Sequence, residues 1–370
     1  MNTKVTVREC REYDYDKVYS LVAEIYESCE GPGVSGKKVL VKPNILSDRE
    51  PEKCVTTHPV VVEALIRYLQ SKGARVFAGD SPSIHFGGMI PVKSGMLRVC
   101  EKTGVPWADF TKSPSERRLP NGRIKVASIA DEVDLIISVP KFKNHELVYF
   151  TGAIKNTLGL VPGFSKALQH ALHQNRKSFA CFLVDLNEAL LPHFFLMDGI
   201  WGMEGQGPAQ GKPIQTGVLL GSTNPVALDI IATSIAGYDP MDIPTTYDSI
   251  SRGKWLKDKS EIIYDGPELS SIIKKEFRRI PVTSDKNISF KFISNRFKFL
   301  RKLERRPVFI HRNCTGCMEC IQICPVNAIT MHNDRNNHVV LTDSKCIRCF
   351  CCSEVCQYRA VEIRRKILGT

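Results

Sequence analysis

Two runs of evenly spaced cysteines near the end of this 370-residue chain carry its clearest chemical signal. Both runs have the spacing C-x2-C-x2-C-x3-C, and their members are Cys314, Cys317, Cys320 and Cys324, then Cys346, Cys349, Cys352 and Cys356. Three closely spaced thiolates hold three corners of a [4Fe–4S] cube, and the fourth, after a longer gap, reaches the neighbouring cube. The pattern therefore predicts two [4Fe–4S] clusters and the transfer of single electrons.

The two runs are related by a repeat of thirty-two residues that extends beyond the cysteines. Outside the cysteines, Ile323 matches Val355, Ala328 matches Ala360 and Ile329 matches Val361. Such repetition is typical of a duplicated two-cluster fold with crossed ligation. It predicts one cluster on Cys314, Cys317, Cys320 and Cys356, and the other on Cys346, Cys349, Cys352 and Cys324. Structural zinc is the alternative, but three cysteines spaced so closely do not suit one tetrahedral ion.

The six remaining cysteines fall outside this pattern. Five are scattered singly, and we expect them to be small buried hydrophobic residues: Cys10, Cys29, Cys54, Cys100 and Cys181. Cys351 lies inside the second run, next to Cys352. Because the four-ligand spacing is unbroken without it, we predict that Cys351 is not a ligand, with a substitute ligand as the alternative.

The first two thirds of the chain alternate strand-like and helix-like segments. Strands are predicted over 38–41, 75–78, 134–139, 194–197 and 217–220, and helices from an N-cap at Thr57 to Gly73, over 178–191 and over 226–236 after Asn224. This alternation predicts an α/β domain with a mostly parallel sheet and flanking helices over residues 1–270. A basic, aromatic-rich connector would follow over 271–307, and a small α+β two-cluster ferredoxin-like domain over 308–370.

Polar side chains are concentrated where the predicted strands end, which is where open α/β sheets bind ligands. The candidates for holding an anionic small molecule are Lys42, Asn44, Ser81, Lys141, Lys143, Lys155 and Asn156. The candidates for donating protons to it are Asp80, His145 and Glu204. Solvated lysines and a capping role for Asp80 and Ser81 are the structural alternatives.

Two further groups of residues are weaker candidates. The glycine-rich stretch 199–211 predicts a mobile loop, or one whose backbone approaches a ligand closely, with a surface turn as the alternative. His170 and His173 are three residues apart on a predicted helix, but no third ligand is in view, so a metal site is not predicted there.

Several separate motifs resemble known families. Residues 36–255 resemble the family called domain of unknown function 362 through VKPN (41–44), TTHP (56–59), GDSP (79–82), VPKFKNH (139–145), GAIKNTLGLVPG (152–163), DGIWGMEGQGPAQGKP (198–213) and NPVALD (224–229). Residues 308–365 resemble a two-cluster [4Fe–4S] ferredoxin domain. The first resemblance implies association with a ferredoxin module, as here, and no particular reaction.

The net charge of +12 is unevenly distributed. The segment from Lys274 to Arg306 alone carries a net charge of +9. A solvated linker accounts for this equally well, but the functional expectation is the docking of an acidic redox partner such as ferredoxin or flavodoxin. No nucleic-acid recognition fold accompanies the charge, so nucleic acid is not an expected partner. With no apolar run of about 18 residues and no signal peptide, the sequence predicts a cytoplasmic protein without a transmembrane segment.

The sequence leaves open whether the protein is an enzyme. The first hypothesis is a ferredoxin-linked oxidoreductase acting on an anionic small molecule; the others are a non-catalytic electron carrier or adaptor, and a non-redox isomerase or lyase with structural clusters. NAD is not expected because no G-x-G-x-x-G follows a strand, and flavin, which often binds without a short motif, is not indicated. ATP is not expected because the loop 31–38 ends in Lys38, where a phosphate loop has Ser or Thr, and it precedes a strand.

Overall fold

The computed structural model describes residues 3–82, 89–163, 165–282, 305–331 and 339–365. The strands are β1 (Thr3–Glu9), β2 (Lys38–Pro43), β3 (Arg75–Ala78), β4 (Ser115–Leu119), β5 (Gly122–Val126), β6 (Leu135–Val139), β7 (Lys141–His145), β8 (Tyr149–Phe150), β9 (Phe194–Glu204), β10 (Lys212–Ser222), β11 (Ile262–Asp265), β12 (Arg305–Phe309), β13 (Ile329–Met331), β14 (Val339–Leu341) and β15 (Val361–Arg365). The helices are α1 (Tyr15–Ser28), α2 (Pro59–Ser71), α3 (Met96–Thr103), α4 (Ile129–Glu132), α5 (Gly152–Asn156), α6 (Ser165–Leu172), α7 (Arg176–Leu190), α8 (Pro225–Ile235), α9 (Pro244–Ser251), α10 (Leu269–Ile272), α11 (Glu319–Gln322) and α12 (Cys351–Val355).

A mixed sheet of nine strands forms the centre of the first domain, in the order β11-β1-β10-β9-β6-β2-β3. β7 continues from β6 along β9 and pairs with β8 on its other side. Pairing is parallel throughout except where β10 lies between β1 and β9 and where β8 meets β7. The predicted α/β class with a mostly parallel sheet is therefore confirmed.

Helices cover both faces of this sheet, which explains why its strands are continuous apolar runs. Val39 and Val41 of β2 pack with α1, α2 and α3 on one face. Leu40, between them, packs on the other face with α5, α7 and α8. The alternation of side chains along a strand sends neighbouring residues into two separate cores, so a three-layer domain results.

Most of the predicted elements are present, with shifted ends. Helix α2 has Pro59 in its first turn as expected, but it begins one residue later than predicted. Its N-cap is His58 rather than Thr57, and Nδ1 of His58 accepts a hydrogen bond from the backbone N–H of Val60. The structure adds β1, where the alternating Val5 and Val7 are buried despite polar neighbours, and helix α1.

The prediction that residues 199–211 form one loop is wrong, because β9 continues to Glu204. Gly199 and Gly202 lie within the strand, where added Cβ atoms would come within 2.9 Å of the Val218 carbonyl oxygen and 2.8 Å of the Phe142 carbonyl oxygen. These glycines therefore permit close packing of neighbouring backbone, and the stretch consists of a strand with one register shift against β10, followed by the turn between β9 and β10.

The cysteine-rich region has the duplicated structure that its repeat predicts. Residues thirty-two positions apart share positive φ angles: Gly316 and Arg348, Met318 and Phe350, Asn327 and Arg359. The backbone N–H groups of Ala328 and Ala360 both donate to cysteine sulfurs, those of Cys324 at 3.2 Å and Cys356 at 3.4 Å. The two halves therefore turn around their cysteines in the same way.

Most of the predicted connector, residues 283–304, lies outside the described residues, so its role as a connector stays a sequence prediction. In the part of the chain that the structure describes, none of the helices has the length and apolar character needed to cross a bilayer. The cytoplasmic location likewise stays a prediction.

Candidate functional site

A cavity of about 60 Å³ lies at the carboxyl ends of the parallel strands, between the α/β domain and the cysteine-rich domain. Such a volume accommodates a few water molecules or one small ion. The structure brings seven of the predicted site residues to its wall, namely Lys42, Asn44, Asp80, Ser81, Lys143, Lys155 and Asn156. These residues come from four different segments, so the cavity exists only in the folded domain.

A buried ion pair forms the floor of the cavity. Nζ of Lys42 lies 2.9 Å from Oδ1 of Asp80, and both side chains are almost fully buried. Asp80 also accepts hydrogen bonds from the backbone N–H groups of Ile45, at 2.6 Å, and Ser81, at 2.9 Å. With its oxygens occupied in this way, Asp80 serves to hold the ends of β2 and β3 together. Burial lowers the pKa of Lys42, and the Asp80 carboxylate opposes that shift.

Two asparagines form the second wall. Nδ2 of Asn44 donates to Oδ1 of Asn156 at 3.0 Å, and Nδ2 of Asn156 donates to Oγ of Ser138 at 2.9 Å. Oδ1 of Asn44 and Oγ1 of Thr151 are buried and have no hydrogen-bond partner among the described residues, and both residues line the cavity. Buried polar atoms without partners are uncommon in folded proteins, so these two atoms are available to a bound ligand.

Three lysines face the cavity without forming a close ion pair with any described carboxylate: Lys143, Lys155 and Lys166. Nζ of Lys143 donates to the Val55 carbonyl oxygen at 2.7 Å, and burial together with Lys155 and Lys141 lowers the pKa of Lys143 well below its usual range. Burial also lowers the pKa of Lys155, and it lowers that of Lys166 to about 7. An anion bound among these amines would favour their charged forms.

A buried carboxylate positions the segment that carries Lys155. Asp229 of α8 accepts hydrogen bonds from the backbone N–H groups of Ala153, at 2.6 Å, and Ile154, at 3.1 Å, at the start of α5. Gly152 has φ +60°, and a Cβ atom there would lie 2.4 Å from Oδ1 of Asp229. The glycine and the aspartate therefore fix α5 and, with it, Lys155 and Asn156.

The opposite wall belongs to the cysteine-rich domain and was not predicted from the sequence. It consists of Ile323, Cys351, Glu354 and Val355. Oε1 of Glu354 lies 3.4 Å from Nε2 of His145 and 3.8 Å from Nδ1 of His170. Burial raises the pKa of Glu354, but His170, His145 and Lys155 outweigh that effect and hold it well below its usual range. A lone acidic residue between Cys352 and Cys356 was the only sequence signal for this contact.

The hydrogen bonds of His145 indicate which ring nitrogen carries its proton. Nδ1 accepts from the backbone N–H groups of Leu147, at 3.2 Å, and Val148, at 3.4 Å. Burial, reinforced by the charge of Lys155, lowers the pKa of His145 to about 3. The neutral ring therefore holds its proton on Nε2, facing Glu354.

Lys141 and Glu204, two of the predicted site residues, lie away from the cavity. Nζ of Lys141 is 2.7 Å from Oδ2 of Asp198, and both side chains are fully buried. The register of β7 against β9 shifts between Lys141 and Lys143, so these alternate residues do not share one environment. Glu204 accepts a hydrogen bond from the backbone N–H of Arg278 at 2.8 Å and holds the chain after the α/β domain.

The eight cysteines of the two runs surround two separate spaces. One is lined by Cys314, Cys317, Cys320 and Cys356, and the other by Cys324, Cys346, Cys349 and Cys352, with Cys351 also in its wall. These are the two sets that crossed ligation predicts, and four thiolates around an open space are the donor set of a [4Fe–4S] cube. The residues present therefore fit such clusters.

Comparisons with known proteins agree with both resemblances found in the sequence. Residues 39–234 match the family described as Domain of unknown function (DUF362), and residues 313–360 match the 4Fe-4S dicluster domain. The Thylakoid-associated protein sll1697 of Synechocystis sp. is 31% identical over 255 residues, which cover 66% of this chain and 78% of that protein. The lactate racemase apoprotein from Thermoanaerobacterium thermosaccharolyticum superposes with a TM-score of 0.43 at 13% identity, over 62% of this chain and 56% of that chain.

Proposed function

Because this chain belongs to the DUF362 family and carries a [4Fe–4S] ferredoxin-type domain, we propose that it transfers single electrons through two clusters to an anionic small molecule bound in the cavity. The observation that carries the proposal is the composition of the cavity wall. Lys143 and Lys155 of the α/β domain face Cys351 and Glu354 of the cysteine-rich domain across one small space. A ligand held by the lysines is therefore next to the domain that holds the clusters.

The clusters, when bound, supply one-electron transfer, and the side chains of the cavity supply binding and orientation. Lys155 and Lys143 hold a carboxylate or phosphate group, since neither forms an ion pair with a carboxylate in the described part of the chain. Asn44 and Thr151 offer their unpartnered oxygens to polar groups of the same ligand. The small volume favours a compact anion over a nucleotide.

The three proton donors predicted from the sequence differ in their placement. Nε2 of His145 lies 3.4 Å from Oε1 of Glu354 in the cavity wall, whereas Asp80 is held by Lys42 and two backbone N–H groups, and Glu204 lies elsewhere. We assign to the contact between the neutral ring of His145 and the Glu354 carboxylate the orientation of these two side chains beside the ligand, and structural roles to Asp80 and Glu204.

The proposed electron donor is an acidic carrier such as a ferredoxin or flavodoxin. The net charge of +9 between Lys274 and Arg306 directly precedes the cysteine-rich domain. Opposite charges raise the rate of encounter between such partners, and the effect weakens as salt screens it.

The test uses anaerobically reconstituted protein reduced with dithionite and mixed with small carboxylates, inorganic phosphate or sulfate. Reoxidation of the clusters by one of these anions, lost in Lys155→Ala but retained in the exposed control Lys72→Ala, supports the proposal. Reoxidation by protein carriers alone would indicate an electron carrier or adaptor. Conversion of a carboxylate while the clusters stay oxidised would indicate a non-redox isomerase or lyase.

A further inference from the structure

The two cysteine groups are placed differently relative to the cavity. The group Cys324, Cys346, Cys349 and Cys352, which we call the inner group, surrounds a space whose wall includes Cys351. Cys351 also lines the lysine cavity, and among the described residues it is the one shared by both walls. The inner group and the cavity are therefore separated by the thickness of a single side chain.

The group Cys314, Cys317, Cys320 and Cys356, which we call the outer group, shares no described wall residue with the cavity. Its surroundings are open to solvent. Cys317 is exposed, and the neighbouring Met318 and Tyr358 are 50% and 39% exposed. A protein partner can approach the outer group directly.

Several contacts hold the inner group against the α/β domain. Nε2 of Gln210 donates to the Ser353 carbonyl oxygen at 3.0 Å, and Nε2 of Gln174 donates to the Ile347 carbonyl oxygen at 3.2 Å. Together with the contact of Glu354 to His145, these bonds fix α12, on which Cys351 lies. Cys351 is itself buried and packs in the apolar core with Cys352 and Val355.

From this arrangement we infer that electrons enter at the outer group and leave from the inner group to the ligand of the cavity, with Cys351 as the positioning residue between them. The inference rests on the proposed function and adds the direction of electron flow through the two groups. With clusters held by the two groups, each step would move one electron: the cluster of the inner group would give one electron to the ligand, and the cluster of the outer group, reduced by the acidic carrier, would replace it. Cys351 keeps water out of the space between the inner cluster and the cavity.

The first test locates a bound anion relative to each cluster. Full-length protein is reconstituted, reduced with dithionite and given ¹³C-formate, and electron–nuclear spin coupling is measured. Cys349→Ser and Cys317→Ser identify the EPR signals of the inner and outer clusters. We expect coupling of formate to the inner signal alone, and coupling to the outer signal would overturn the inference.

Equilibrium dialysis with labelled formate separates the inference from the function on which it rests. Binding without coupling to either cluster overturns the route and leaves the binding site standing. Absence of formate binding overturns the proposed function and, with it, the inferred route of the electrons. Lys155→Ala should weaken formate binding roughly tenfold or more, since it removes a charged hydrogen-bond donor.

The second test concerns Cys351. Cys351→Ala should keep the iron content and both EPR signals, and it should shift the midpoint potential of the inner cluster to a less negative value, because water admitted beside it stabilises the more highly charged reduced form. The outer potential should not move, and Cys100→Ala, a buried cysteine in another core, should move neither. Loss of iron, or a shift of both potentials or of neither, would overturn the role of Cys351.

Discussion

Nζ of Lys42 lies 2.9 Å from Oδ1 of Asp80 in a position where the two side chains are 1% and 2% exposed. Both residues lie at strand ends, as expected of site residues, yet the charge of each is neutralised by the other. Removal of one partner from a buried pair leaves an uncompensated charge, which costs about 3–5 kcal/mol, whereas replacement of both by apolar or neutral groups costs far less.

We therefore expect Asp80→Asn to lower the free energy of unfolding by about 3–5 kcal/mol. When Lys42→Met is added to Asp80→Asn, the double variant should regain part of this lost stability, because no unpaired charge remains buried. Urea unfolding of the four proteins of this cycle measures the coupling. The exposed pair Lys72 and Glu27, whose atoms are 2.7 Å apart, is the control and should contribute no more than about 1 kcal/mol. Additive effects of the two buried changes would contradict the structural role of the pair.

The second prediction concerns the backbone beside the same pair. A Cβ atom on Gly159 would lie 2.1 Å from Oδ1 of Asp80 and 2.3 Å from Nζ of Lys42. Gly159→Ala should therefore displace the pair, destabilise the protein by about 1–3 kcal/mol and weaken formate binding. Gly33→Ala is the matched control, because no atom lies within 4 Å of its Cβ position. Equal stability of the two variants in urea would show that the cavity floor is not tightly packed.

The third prediction is that the free energy of unfolding depends on pH through the carboxyl group of Asp229. Burial raises the pKa of this carboxyl from 3.8 to about 7, against the effect of two backbone N–H groups. A carboxyl whose pKa is higher in the folded state favours folding when protonated, so its contribution is lost as pH rises from about 4 to about 7. The loss amounts to about 4 kcal/mol at 1.36 kcal/mol for each pH unit.

Asp229→Asn removes this titration while it keeps an oxygen that accepts from α5. Urea midpoints measured between pH 4 and pH 8 should fall for the natural protein relative to the variant, and the difference should stop growing above about pH 7. A constant difference across this range would mean that Asp229 is ionised throughout.

Features set by local spacing were predictable from the sequence. The two sets of cysteines could be assigned because ligation depends on short fixed intervals, and they meet around two spaces as expected. Lys42, Asn44 and Asp80 could be placed at one edge because parallel strands end together. Even so, sequence reasoning did not distinguish a lysine in a buried ion pair, such as Lys42 with Asp80, from one such as Lys155, which forms no ion pair with the carboxylates that the structure describes.

Features that depend on distant surfaces could not be predicted. The position of Glu354 in the cavity wall follows from how two domains pack, and no periodicity in either domain encodes it. Lys141 and Lys143 are two residues apart and look equivalent in the sequence, but the register shift against β9 gives them different partners. Residues two positions apart in a strand share a face of the sheet only where the pairing with the neighbouring strand is regular.

The fourth prediction tests the crossed assignment of the cysteines. Cys317 and Cys356 line one space although thirty-nine positions separate them, whereas Cys352 and Cys356, four positions apart, line different spaces. Cys317→Ser and Cys356→Ser should therefore damage the same EPR signal, and Cys352→Ser should damage the other. Iron content should fall in each from about eight towards about four atoms per chain. Cys181→Ser, outside both groups, is the control. Loss of the same EPR signal in Cys352→Ser and Cys356→Ser would show that ligation is sequential and not crossed.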